Sequence, residues 1–275
     1  MIEFDPTLVH DWLTRSARRF PDKVALVCGE DRWTYKAIDR RSDHLAGALL
    51  DGGVRRQDRV VVLMDNSAEI VISLYGILKA GGVFVILAGS LKGAKLRYIL
   101  QNSGAKVLIT HISKAKVVSD ALSDGPADCK VIWAGPMKRV PQELANVSQS
   151  WDEIFSGFDD EIAGREKNSR LPRCIDVDLA TLIYTSGSTG EPKGVMSTHQ
   201  NMISAARSII QYIGNVHEDV ILDVLPLSFD YGLYQVIMAF MYGGTVVLEK
   251  SFVYLHNILE RIAQEKVTGF PIVPT

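Results

Sequence analysis

Apolar residues in this chain gather in short continuous runs, several of them followed by a stretch in which apolar positions recur at helical spacing. "DRVVVLM" (58–64) reads as a buried strand, "SAEIVISLYGILKA" (67–80) as a helix with Ser67 placed to cap it, and Val83 to Leu87 as the next strand. "LKGAKLRYILQNSG" (91–104) follows as a helix stopped by Gly104, after which 105–110 and 129–134 read as two more strands. Strand, helix, strand in that order predicts a parallel sheet with helical crossovers. From 135 to 172 the periodicity lapses among Pro136, Pro141 and Pro172, which predicts an irregular connection with one short helix. The alternation then resumes with a strand over 178–185, a helix over 197–213 capped by Ser197 or Thr198, and a strand over 218–226.

The fold class expected is α/β, with doubly wound, mostly parallel sheets and flanking helices. Residues 1–172 form a first α/β subdomain ending in the irregular connection, and 173–275 a second, incomplete one. Two apolar runs, 70–87 and 231–248, have the length of a membrane span. Each is split by a glycine pair, Gly81-Gly82 or Gly243-Gly244, with β-branched or aromatic residues after it, so each reads as helix, stop and strand.

Composition narrows the chemistry. A chain of 275 residues, 47% hydrophobic and 23% charged, is that of a soluble globular protein. A net charge of −2 without a block of basic residues argues against nucleic acid or an acidic membrane as partner. Cys28, Cys129 and Cys174 are odd in number and lack metal-ligand spacing, so free thiols are expected and no metal site is assigned. With an acidic N-terminus where a signal peptide starts basic, the expected location is the cytoplasm.

The chemistry concentrates in "YTSGSTGEPKG" (184–194), directly after a strand, where open α/β sheets carry their ligand loops. Glycines let the backbone approach a ligand, and successive N–H groups of such a turn form a concave array of donors suited to phosphate oxygens. Thr185, Ser186, Ser188 and Thr189 add hydroxyls, and Lys193 a mobile positive charge. The spacing is not that of a Walker A loop, because Lys193 follows Gly190 by three positions and precedes Gly194, not a hydroxyl residue.

"LATLIYTSGSTGEPKGV" (179–195) resembles the phosphate loop of the adenylate-forming superfamily, the acyl-CoA synthetases, aryl and fatty-acyl ligases, luciferases and peptide-synthetase adenylation domains. "WTYKAIDRRSDHLAGAL" (33–49), "ILKAGGVFV" (77–85), "STHQNM" (197–202) and "LPLSFDYG" (225–232) resemble the family in the same order. The resemblance implies an AMP-forming ligase that joins a carboxylate to AMP with loss of pyrophosphate and passes the acyl group to CoA or to the pantetheine of an acyl carrier protein. It further implies ATP and Mg²⁺, with Thr185, Ser186, Gly187, Ser188, Thr189, Gly190 and Lys193 at the phosphates, and Thr185 and Lys193 catalytic. The family's later motifs do not follow. The expectation is therefore an N-terminal part of such a ligase, inactive alone and prone to self-association through an uncovered face.

By the same resemblance Phe229 lies beside the carboxylate pocket, and Asp230 matches the acid that holds the ammonium group in amino-acid-activating members. An acyl-CoA synthetase is the first expectation and an amino-acid-activating enzyme the second. A phosphotransferase or hydrolase on the same loop, or a non-catalytic nucleotide-binding or interaction module, are the rival classes. His199 opens a helix without acid or nucleophile spacing around it and is expected to pack and hydrogen-bond locally.

Overall fold

The computed structural model describes residues 5–126, 128–158, 171–185, 191–250, 252 and 255–273. The chain begins with helix α1 (Val9–Arg19), a hairpin of β1 (Val24–Cys28) and β2 (Asp31–Thr34), and helix α2 (Tyr35–Asp51). Strand β3 (Arg59–Met64), α3 (Ala68–Lys79) and β4 (Val83–Ala88) form the first crossover unit, and α4 (Gly93–Ser103), β5 (Val107–His111), α5 (Ala115–Leu122) and β6 (Lys130–Ala134) extend it. A three-residue strand β7 (Ser148–Ser150) and one turn of helix, α6 (Trp151–Ile154), lie in the stretch expected to be irregular. Then come β8 (Leu179–Thr185), β9 (Lys193–Thr198), α7 (His199–Ile213), β10 (Val220–Asp223), α8 (Asp230–Tyr242), β11 (Thr245–Leu248) and α9 (Leu255–Glu265).

These strands make two sheets, one of four in the order β10-β11-β1-β2 and one of seven in the order β7-β6-β5-β3-β4-β8-β9. All pairings are parallel except β1 with β2 and β8 with β9, so the mostly parallel α/β architecture holds. Strand pairing crosses residue 172 in both directions: β8 joins the sheet built by β3 and β4, while β1 and β2 join β10 and β11.

The continuous apolar character of β3 and β4 follows from burial on both faces. Val60, Val62, Phe84 and Ile86 face a central layer containing α1, α2, α3 and α8, which also packs on Leu26, Val246 and Leu248 of the smaller sheet. Val61, Leu63, Val85 and Leu87 face α4 and α5 on the outside. Beyond the smaller sheet, Val27, Leu222, Val224 and Val247 pack against Ile258 of α9. The order is helix, sheet, helix, sheet, helix.

Because α3 lies between two sheets, it is apolar all round, which is what made its run resemble a membrane span. Its last residue, Lys79, is 4% exposed and pairs with Asp39 at 2.7 Å and Asp43 at 2.8 Å, pinning α3 to α2. Both long apolar runs break at the glycine pairs as expected, with Gly81 at φ 75° and Gly243 at φ 86°. Among the described residues no helix is long and apolar enough to cross a membrane.

At two boundaries the structure differs from the sequence expectation, and at a third Thr198 caps its helix as expected. Ser67 stands at the start of α3 but makes no capping bond; its hydroxyl lies 3.5 Å from the Met64 sulfur. Residues 197 and 198 close strand β9, and α7 starts at His199 behind a capping box in which Thr198 and Asn201 bond each other's backbone. Strand β10 stops at Asp223 because residues 225–229 turn back, Phe229 N–H donating to Pro226 C=O at 3.0 Å.

Candidate functional site

The phosphate-loop segment is the link of a hairpin. Strand β8 pairs antiparallel with β9 in a register that sets Tyr184 opposite Gly194 and Thr185 opposite Lys193, so the hydroxyl and ammonium residues flank the mouth of the turn. The base of the hairpin is anchored by the Thr181 hydroxyl, which donates to Phe84 C=O at 2.9 Å, and by the Tyr184 hydroxyl, which donates to Asn102 of α4 at 2.6 Å. Gly194 leaves room for the Tyr184 ring, which would stand 3.2 Å from a Cβ there. Thr185 and Lys193 are both exposed, and Lys193 pairs with no carboxylate among the described residues. Ser186, Gly187, Ser188, Thr189 and Gly190 lie outside the described residues. The Thr185 and Lys193 donors suit an anion such as a phosphate chain.

The second group stands at the start of α8. Gly232 lets the 225–229 turn lie against the helix, since a Cβ would approach Pro226 C=O to 2.7 Å. Phe229 precedes the helix and is 60% exposed; it stands beside the cavity and not in its lining. Asp230 is the first helical residue, where the helix dipole favours a carboxylate, and its Oδ1 accepts from Tyr231 N–H at 2.8 Å. No ion pair to Asp230 exists among the described residues.

Asp230 lines an open cavity of about 720 Å³, whose wall includes Tyr234, Met238 and Tyr242 from α8 and Ile209 and Ile213 from α7. Burial, and then the nearby Asp230 carboxylate, push the Tyr234 phenol up, so it stays protonated and able to donate. Tyr231 also lines the cavity. His199 is 2% exposed and accepts the Val9 N–H on Nδ1 at 3.1 Å, and burial pushes its pKa down to about 4. That is a neutral packing residue, as expected.

Two polar residues that sequence patterns do not single out support the turn bearing Phe229 and Asp230. One is Asn66, between β3 and α3. The other is Asp223, fully buried at the end of β10, whose Oδ1 accepts from Leu225 N–H at 3.0 Å while Oδ2 has no partner. Asp223 shares a strand face with Ile221, which lines the cavity. Burial pushes its carboxyl up to about 8. The native state thus holds a proton that the unfolded chain releases near pH ~4. Stability from this group is complete below that pH and is lost as pH rises through about 8. Thermal melting at pH 6 and pH 9 is expected to show a smaller drop for Asp223→Asn than for the wild type; equal drops would mean that the carboxyl is ionised throughout.

Among the described residues no group of three His, Cys, Asp or Glu side chains is placed to hold a metal ion, and Cys28, Cys129 and Cys174 are free thiols.

A family model described as "AMP-binding enzyme" matches residues 13–275. Tyrocidine synthase 1 of Brevibacillus parabrevis is 28% identical over 269 residues, covering 97% of this chain and 22% of that protein. The structure of VinN in complex with L-aspartate aligns over 97% of this chain and 62% of its own, with a TM-score of 0.79 and 28% identity. The anthranilate CoA ligase AuaEII in complex with anthranoyl-AMP aligns over 97% of this chain and 50% of its own, with a TM-score of 0.85 and 25% identity. The chain spans about a fifth of the first of these proteins and between half and two thirds of the two solved structures.

Proposed function

The chain belongs to the AMP-binding enzyme family, and from that premise we propose that it serves an AMP-forming ligase whose substrate is a carboxylate bearing an amino group. The observation that carries this reading is Asp230, an exposed carboxylate without an ion-pair partner among the described residues, at the edge of a cavity lined mostly by aromatic and aliphatic side chains. Its second oxygen is open to a charge-assisted hydrogen bond, and a substrate ammonium entering the cavity is a donor of that kind. The likeness to a peptide synthetase and to an enzyme holding L-aspartate supports the same reading. A plain acyl substrate, the first expectation from the sequence, is the alternative reading, and Asp230 at the cavity favours the amino acid.

In the proposed reaction one carboxylate oxygen of the substrate attacks the α-phosphorus of ATP in line with the departing pyrophosphate. The new O–P bond gives an acyl-AMP as the bond to the β-phosphate oxygen breaks. Negative charge builds on the leaving group, so catalysis rests on positioning and on donors aimed at that charge. Lys193 supplies a charge-assisted contact and Thr185 a hydroxyl, both from the hairpin mouth, while Asp230 orients the substrate through its ammonium. Magnesium bound with ATP would spread the phosphate charge further. A thiolate of CoA or of carrier-bound pantetheine then attacks the acyl carbon and AMP leaves.

The test is exchange of labelled pyrophosphate into ATP by the gene's full product, run against matched pairs of amino acids and their desamino analogues. Exchange is expected with at least one amino acid and at least tenfold less with its analogue. Exchange with desamino acids alone would establish the acyl reading instead.

A further inference from the structure

The two halves of the site sit on different sheets, and one side chain bridges them. Thr185 and Lys193 belong to the seven-stranded sheet, whereas Phe229 and Asp230 follow β10 of the four-stranded sheet. Asn66 leaves the C-terminal end of β3 in the larger sheet and is 6% exposed. Its Nδ2 donates to Leu225 C=O at 2.8 Å and to Glu249 C=O at 3.0 Å, and its Oδ1 accepts from Leu227 N–H at 3.0 Å. Leu225 and Leu227 lie in the turn that delivers Phe229 and Asp230, and Glu249 directly follows β11. From beneath, Asp223 holds Leu225 N–H.

We propose that Asn66 is a positioning residue that fixes the substrate-side turn, residues 225–230, against the sheet carrying the phosphate-side hairpin. The chemistry selects asparagine. Two backbone carbonyls and one backbone N–H converge there, and a primary amide offers two donors and one acceptor on a short, stiff stem. Aspartate would present two acceptors to two carbonyls, and serine is too short to span all three. Loss of the amide leaves buried backbone groups unpaired and frees the turn to shift. A displacement of about 1 Å in a substrate-orienting group costs on the order of 10²-fold in rate. A scaffold role alone would lower stability and spare the site.

This inference rests on the ligase reading for its kinetic arm but not for its structural one. Hydrogen exchange across 224–231 of the full gene product is expected to quicken at least tenfold in Asn66→Ser, centred on the Leu227 amide, with β3 and β4 amides unchanged. In pyrophosphate exchange, Asn66→Asp is expected to raise the carboxylate KM and lower kcat, together about 10²-fold, with the ATP KM changed less than twofold. If Asn66→Asp does not fold, Asn66→Ser reports both quantities. Unaltered protection of 224–231 would overturn the proposal whatever the activity. So would a variant with a lower melting temperature but wild-type KM and kcat per folded molecule. A wild type with no carboxylate-dependent exchange would remove the ligase reading alone, and the protection data would still decide for or against the clamp.

Discussion

Replacing Lys193 by alanine is expected to lower adenylate formation by about 10² to 10³-fold, the scale seen when one donor to a developing anion is removed. The side chain is exposed on an edge strand and pairs with no carboxylate among the described residues, so nothing in the fold depends on its charge. Its melting temperature should therefore stay within about 2 °C of the wild type, as for surface substitutions away from caps and cores. The contact strengthens as negative charge moves onto pyrophosphate, so kcat should fall more than the ATP KM rises. Lys193→Arg should recover only part of the rate, since its planar fork differs in reach from an ammonium. An alanine variant with wild-type exchange would take Lys193 out of the mechanism.

Asp230→Ala is expected to act on the other partner of the reaction. Removing a hydrogen bond to a charged group costs about 1.5 to 3 kcal/mol, which corresponds to a loss of about tenfold or more in kcat/KM for the amino acid. The desamino analogue, having no cation to lose, should be used equally well or better by the variant. Steady-state exchange with both substrates separates the outcomes. Equal losses for the pair would mean that Asp230 supports the helix start through its bond to Tyr231 N–H and does not read the substrate.

The elements legible in the sequence are those whose partners are near in the chain. β3, α3, β4, α4, β5 and β6 are legible within a few residues from apolar runs and glycine stops, whereas α5 between β5 and β6 is not. α7 is legible to its end at Ile213 and in its Thr198 cap, although residues 197 and 198 also pair with β8. What escaped has no pattern of its own or depends on a distant partner. β9 is exposed over most of its length and carries no apolar pattern, yet it exists because β8 lies beside it, and it presents Lys193. β1 pairs with β11, about 220 residues away, which no local period reveals. At the site, the phosphate segment and Asp230 stood out because their residue types are unusual in their surroundings. Asn66 and Asp223 did not, because a single amide or acid after a strand looks like an ordinary turn residue until the turn it holds is in view.

The most direct test of the central claim is product identity. The gene's full product, incubated with ATP, magnesium and a responsive amino acid but no thiol, should accumulate enzyme-bound aminoacyl-AMP and release pyrophosphate, both measurable by mass spectrometry and phosphorus NMR, and neither should form without the acid. ADP and orthophosphate as products, formed equally with or without a carboxylate, would contradict the account.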